Sequence, residues 1–255
     1  MSETVALAAA AVVSGTITGA LGAGGAIVFI PLLAFALPSF GGPTIDVHVI
    51  TAMSALQGLV AILAAAVTSD ARAARARALV TLAPGLAVGA LAGGILSANA
   101  PASVLLTIYA VIASSAAASL MLVRPRAATQ LTPIVRTLVA AGCALVIGAL
   151  GGTIGVGGGF LLIPLLMYVM GVEARAARAT GLVAALFLIA PALLGKAATG
   201  QVPWAPVPAV AAGALVGGGI GGATNQYLPT TATRLLLGVM VSGVAAYSWW
   251  RLIVG

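Results

Sequence analysis

The sequence predicts an all-α polytopic membrane protein made of two inverted repeats, each with a short glycine-broken re-entrant or discontinuous segment followed by three spanning helices. Composition is the first sign. Of 255 residues, 62% are hydrophobic and only 6% are charged, whereas a soluble domain carries about 25% charged residues. Apolar runs of about 20 residues, the length that crosses a bilayer, recur along the chain. They are continuous rather than alternating, which excludes a membrane β-barrel. The third sign is a duplicated motif. Gly22-Ala-Gly-Gly-Ala-Ile-Val-Phe-Ile-Pro31-Leu-Leu33 returns 133 positions later as Gly155-Val-Gly-Gly-Gly-Phe-Leu-Leu-Ile-Pro164-Leu-Leu166.

Taken in order, residues 4–21 form a first helix. The segment begins with Glu3 and no basic residue, so it reads as a membrane segment rather than a signal peptide. Glycines at 22–25 break it, and a short helix over 26–37 ends at Pro38 and the Gly41-Gly-Pro43 turn. Twelve residues reach only about 18 Å, so 4–37 reads as a re-entrant hairpin or a pair of short segments. Helices follow at about 47–68, 79–97 and 102–123, and the arginine-bearing loop 124–136 separates the halves. The second half repeats the order: a helix at 134–152, the second glycine break, a short helix at 159–171, and helices at about 178–198, 206–223 and 231–253. Gly85, Gly89, Gly93, Gly94 and Pro101 fall on Gly213, Gly217, Gly221, Gly222 and Pro229 at an offset of 128, and Thr51 falls on Thr180 at 129. A near-constant offset over the full length is the mark of an internal repeat. The repeats are therefore placed at 1–128 and 129–255, together one transmembrane domain.

Charge placement sets the expected orientation. With five segments per half, Arg72, Arg75, Arg77, Arg124, Arg126, Arg136, Arg175, Arg178 and Arg234 all face the cytoplasm, and Lys196 and Arg251 lie outside. Four segments would put Arg175, Arg178 and Arg234 outside, so the positive-inside rule favours five, and an odd count inverts the second half relative to the first. The net charge of +7 is accounted for by these loops and is not a nucleic-acid footprint.

The candidate binding residues are the two glycine turns, Gly22, Ala23, Gly24 and Gly25 with Gly155, Val156, Gly157, Gly158 and Gly159. Such turns expose backbone amides at the positive end of the next helix, where an anion can bind. Two of them converging near the midplane would form one anion site; close helix packing through small residues is the competing reading. Thr51, Ser54 and Gln57, with Thr180 at the equivalent place, add neutral donors early in the helix after each hairpin. Ser and Thr in a helix also bond their own backbone, so this role is shared with a structural one. His48 and Asp46 are candidate proton or gate residues, with a helix-start role as the alternative. Arg175 and Arg178 are orientation signals that would also draw anions to the mouth. No Asp or Glu lies deep in a span, which argues against cation pumping. Cys143 is the only cysteine, so no internal disulfide or cysteine metal cluster forms. With one His, one Cys and no buried carboxylate, an enzyme has no nucleophile-and-base set to use. No cofactor and no metal is expected.

Gly-x-Gly-Gly-x4-Ile-Pro-Leu-Leu in both halves, with His48-Val-Ile-Thr-Ala-Met-Ser54 and glycine-rich third helices, resembles the sulfite exporter TauE/SafE family over essentially the whole chain. The resemblance implies a multi-pass carrier of the bacterial inner membrane for sulfite, sulfonates or related organic acids, usually an exporter. Where the family commonly has a Thr-Ser pair, this chain has Thr51-Ala-Met-Ser54 and Thr180-Gly-Leu-Val183. The expected partners are a small anionic substrate and the lipid bilayer, with a second copy of the chain as a homodimer partner and no nucleic acid. The expected mechanism is alternating access about a central anion site. An anion channel, or an importer of organic acids or sulfonates, is the alternative.

Overall fold

A computed structural model describes residues 3–21, 25–39, 41–42, 44–68, 74–122, 132–225, 238–239, 242–243 and 245–250. Its elements are α1 (Glu3–Leu21), α2 (Gly25–Pro31), α3 (Leu37–Ser39), α4 (Val47–Thr68), α5 (Ala76–Leu96), α6 (Ala102–Leu122), α7 (Pro133–Ile154), α8 (Gly159–Pro164), α9 (Ala174–Ala198) and α10 (Val207–Asn225). Among the described residues there is no strand, and those between 238 and 250 are helical. Among the described residues, five helices are long and apolar enough to cross a bilayer: Val47–Val67, Ala76–Asn99, Pro133–Ile154, Arg175–Ala198 and Val207–Thr224. The chain is a polytopic helical membrane protein. The expected boundary between repeats, at 128/129, lies outside the described residues.

Two short segments depart from simple helices in the same way. After Pro31 the chain opens into a π-helical turn, Leu32–Ala36, and after Pro164 into another, Leu165–Val169. Proline has no N–H to give and its ring crowds the carbonyl one turn back, so the regular helix ladder is already interrupted where each π-helical turn begins. Leu37 then donates to Leu32 O and Met170 to Leu165 O, both across five residues.

The glycines decide how the helices meet. On α5, a Cβ at Gly85, Gly89 or Gly93 would lie within 3.0 Å of the carbonyl oxygens of Ala141, Leu145 and Ala149 on α7. On α10, a Cβ at Gly213, Gly217 or Gly221 would meet those of Ala8, Val12 and Thr16 on α1 in the same way. Each glycine and each partner in the second set is the repeat equivalent of one in the first. The sequence repeat is thus also a packing repeat, and it is crossed: the third long helix of each half packs on the first helix of the other. Bare backbone on backbone is how helices pack closely in a bilayer, where lipid offers no hydrophobic drive.

Helix α7 keeps the expected place before the second glycine break and runs 22 residues, about 33 Å, a full spanning length. Gly155 (φ 72°) and Gly158 (φ 60°) take the left-handed backbone that favours glycine, and this is what turns the chain from α7 into α8.

Candidate functional site

Helices α4 and α9 run antiparallel through the interior. Thr51 meets Lys196 at one end, Gly58 lies against Ile189, and Ile62 packs with Leu182 and Ala185. The start of α4 also lies against the second glycine break. A Cβ on Gly155 would run into Thr51 O, and Ser54 Oγ donates to Gly155 O at 3.1 Å. Thr51, Ser54, Gly155 and Val156 are therefore brought together, all of them buried.

At this junction the side chain of Lys196 is fully buried. Its Nζ lies within hydrogen-bond reach of four oxygens, one more than its three N–H groups can serve singly: Thr51 Oγ1 (3.0 Å), Ser97 Oγ (2.9 Å), Thr153 O (2.9 Å) and Gln201 Oε1 (3.3 Å). These come from the start of α4, the turn after α5, the end of α7 and the loop after α9. The hydroxyl protons are already committed: Thr51 donates to His48 O at 2.9 Å and Ser97 to Gly94 O at 2.7 Å. Gln201 turns its Nε2 away, to Gly94 O and Thr199 Oγ1. The nitrogen therefore faces lone pairs only, which is the surrounding an ammonium needs. No carboxylate among the described residues pairs with it, since the ion pair there is His48 with Asp46. An ammonium inside a membrane bundle with neutral partners alone is costly, and such residues mark ligand or ion pathways.

Gln57 lies one turn beyond Ser54 and is fully buried. Neither its Nε2 nor its Oε1 has a hydrogen-bond partner among the described residues. A buried polar group left unpaired costs about 1–3 kcal/mol, so it calls for a ligand or water. Thr51, Ser54 and Gln57 thus form a buried polar line along α4, with Lys196 at its end.

The structure separates other expected members. Thr180 does not join Thr51. It lies sixteen residues from Lys196 along α9, about 24 Å away, where its Oγ1 accepts from Arg75 N–H at 2.9 Å and donates to Ala176 O at 2.6 Å. The reason is the antiparallel crossing of α4 and α9, which puts equivalent positions at opposite ends. Arg175 and Arg178 are at Thr180's end of the molecule. Gly157, beyond the turn, faces the side chains of Ile62, Ile189 and Ala185, and Gly159 opens α8. Gly22, Ala23 and Gly24 lie outside the described residues, while Gly25 folds against Thr18 and Ser14 of α1.

Asp46 caps α4, its Oδ1 accepting from the His48 amide at 2.7 Å and from the His48 ring Nδ1 at 3.0 Å. Burial pushes this carboxyl up, but the bonds from His48 outweigh it and hold the group below its ordinary 3.8. His48 Nε2 reaches Ala100 O at 3.1 Å. This is the geometry of a helix start, the alternative reading for the pair.

The charge pattern places Lys196 on the outer side, near the end of the helix expected at about 178–198; the fold buries its side chain. The sequence does carry a signal for this: it is the only lysine beside ten arginines, and Leu193-Leu-Gly-Lys196-Ala-Ala is apolar on both sides. Residues 7–248 match the family model described as Sulfite exporter TauE/SafE. No curated protein and no solved structure matched.

Proposed function

Because the chain belongs to the sulfite exporter TauE/SafE family, we propose that it carries sulfite, or a related small sulfur-containing oxyanion, outward across the bacterial inner membrane. The observation that supports this most is the Lys196 ammonium, buried among neutral oxygens with no acidic partner among the described residues. A negative solute beside Nζ would neutralise it. The Gln201 oxygen, at 3.3 Å the longest of the four contacts, is the one to yield. The open amide of Gln57 would supply a neutral donor along α4, whereas the Ser54 hydroxyl would have to turn from Gly155 O to do the same. The glycine turns would contribute flexible backbone next to this point, with the two inverted halves rocking to open the site to either side.

Flux through proteoliposomes tests the reading. Purified protein should move sulfite saturably. Lys196→Gln should cut kcat/KM about thirtyfold or more, the effect of losing about 2 kcal/mol of charge interaction. If the wild-type chain moves no sulfite and no organosulfonate in either direction, or if Lys196→Gln moves sulfite with unchanged constants, the proposal fails. Single-channel recording separates a carrier from a channel: unitary current would put the chain among channels.

A further inference from the structure

A second cationic centre lies at the opposite ends of α5 and α7. Lys196 sits where these helices finish; a cavity of about 340 Å³ opens where they begin. Twenty-one residues of α5 separate the two places, about 30 Å. Arg75 and Arg77 line the cavity from the start of α5 and Arg136 from the start of α7. Among the described residues none of the three forms an ion pair, and neither helix has an acidic residue in its first turn. Orientation alone asks only that arginines be on this side of the membrane. It does not ask three of them, from two helices, to line one cavity.

The other walls narrow the chemistry. The hydroxyls of Thr81 and Thr137 donate back into their own helices, to Arg77 O at 3.1 Å and Pro133 O at 2.9 Å, so towards the cavity they can only accept. The free donors are the guanidiniums, whose planar forks match phosphate and sulfonate oxygens. Met170 and Val172 add apolar surface to the lining. A tetrahedral oxyanion carried on an apolar stem fits this lining.

We propose that this cavity is a second anion site, which holds a phosphate or sulfonate head group at the membrane surface. The group comes either from an anionic lipid of the surrounding leaflet or from a soluble anion entering on that side. The site rests on its own lining residues; only the soluble arm of its test needs the chain to carry sulfite, and the lipid arm does not.

Two variants test it. Arg77→Gln/Arg136→Gln removes charge. Thr137→Phe fills the cavity and keeps every charge, so orientation in the membrane is preserved. In the lipid arm, native mass spectrometry counts phosphatidylglycerol and phosphatidylcholine retained by the detergent-purified protein. In the soluble arm, sulfite flux is measured in vesicles of phosphatidylcholine alone. Both variants should either lose one retained phosphatidylglycerol, which assigns the site to lipid, or raise the KM for sulfite about fivefold at unchanged maximal rate, which assigns it to the soluble anion. The proposal is overturned if Thr137→Phe and the double variant both keep the wild-type lipid count and the wild-type KM, or if phosphatidylcholine is retained as well as phosphatidylglycerol.

Discussion

Lys196 Nζ and Thr51 Oγ1 lie 3.0 Å apart and join the last turn of α9 to the first turns of α4. The contact ties one half of the chain to the other at a point where a lone positive charge meets only neutral oxygens. Its consequences can be measured.

The first concerns ligand charge. One ammonium offsets one negative charge, so sulfite fits this place as the hydrogensulfite monoanion, and a dianion there would leave a net charge buried away from water. The cost of burying charge rises steeply with its magnitude. Methanesulfonate, a monoanion, should therefore compete with sulfite flux about tenfold or more better than sulfate does. Equal competition by the two would show that Lys196 does not set the charge of the cargo.

The second concerns Gln57. Replacing it by Leu removes two buried polar atoms that lack partners. Thermal unfolding in detergent should show a variant as stable as wild type or more so, by up to about 1–3 kcal/mol. The same variant should raise the KM for sulfite. A destabilised Gln57→Leu would mean that the amide already has a structural partner.

The third concerns the crossed glycine seams. Gly89→Ala and Gly217→Ala should each destabilise by about 1–3 kcal/mol, because the new methyl group meets backbone that cannot move aside. The two costs should be alike, since the packing is the same twice. At Gly142 and Gly219 a methyl group would find nothing within 4 Å, and Ala there should be neutral or stabilising by up to about 1 kcal/mol. Thermal melts of the four variants decide the matter.

The fourth concerns acid. The Asp46 carboxyl is held below 3.8 in the folded protein, so its contribution to stability is present above the unfolded-state value and is lost as pH falls through the folded one. At neutral pH, Asp46→Ala should lower stability by about 1 kcal/mol through loss of the α4 cap. That difference from wild type should shrink as pH drops below about 4. A gap that stays constant down to pH 2 would show that the cap does not depend on the charge.

Much of this architecture is legible in the sequence alone. The helix over 47–68 is bounded by Asp46 and by the polar stretch after Thr68, and the fold keeps those limits. The glycines at 85, 89 and 93 match those at 213, 217 and 221, and the same residues form the seams. The partners across those seams are not legible, because a periodic glycine pattern says that something approaches closely without saying what. The π-helical turns escape as well: Pro31 and Pro164 announce a disturbance, but whether a helix ends or widens depends on what packs around it. The site is half legible. Thr51, Ser54 and Gln57 stand out as hydroxyls and an amide in an apolar run. Lys196 does not, because Pro203 and Trp204 soon after it mark a loop, and a charge near a loop is ordinarily solvated. The repeat pairs Thr180 with Thr51; equivalence in a repeat is not proximity when the two helices cross antiparallel.

The crossed seams bear on how the chain is made. Helix α1 leaves the ribosome early, yet the surface it is shaped to grip, on α10, is synthesised some two hundred residues later. Until then its small-residue stripe has only lipid to lie against. Assembly must therefore finish after insertion, by late helices closing on early ones, and a chain cut between its halves should regain its shape only when both pieces share one membrane.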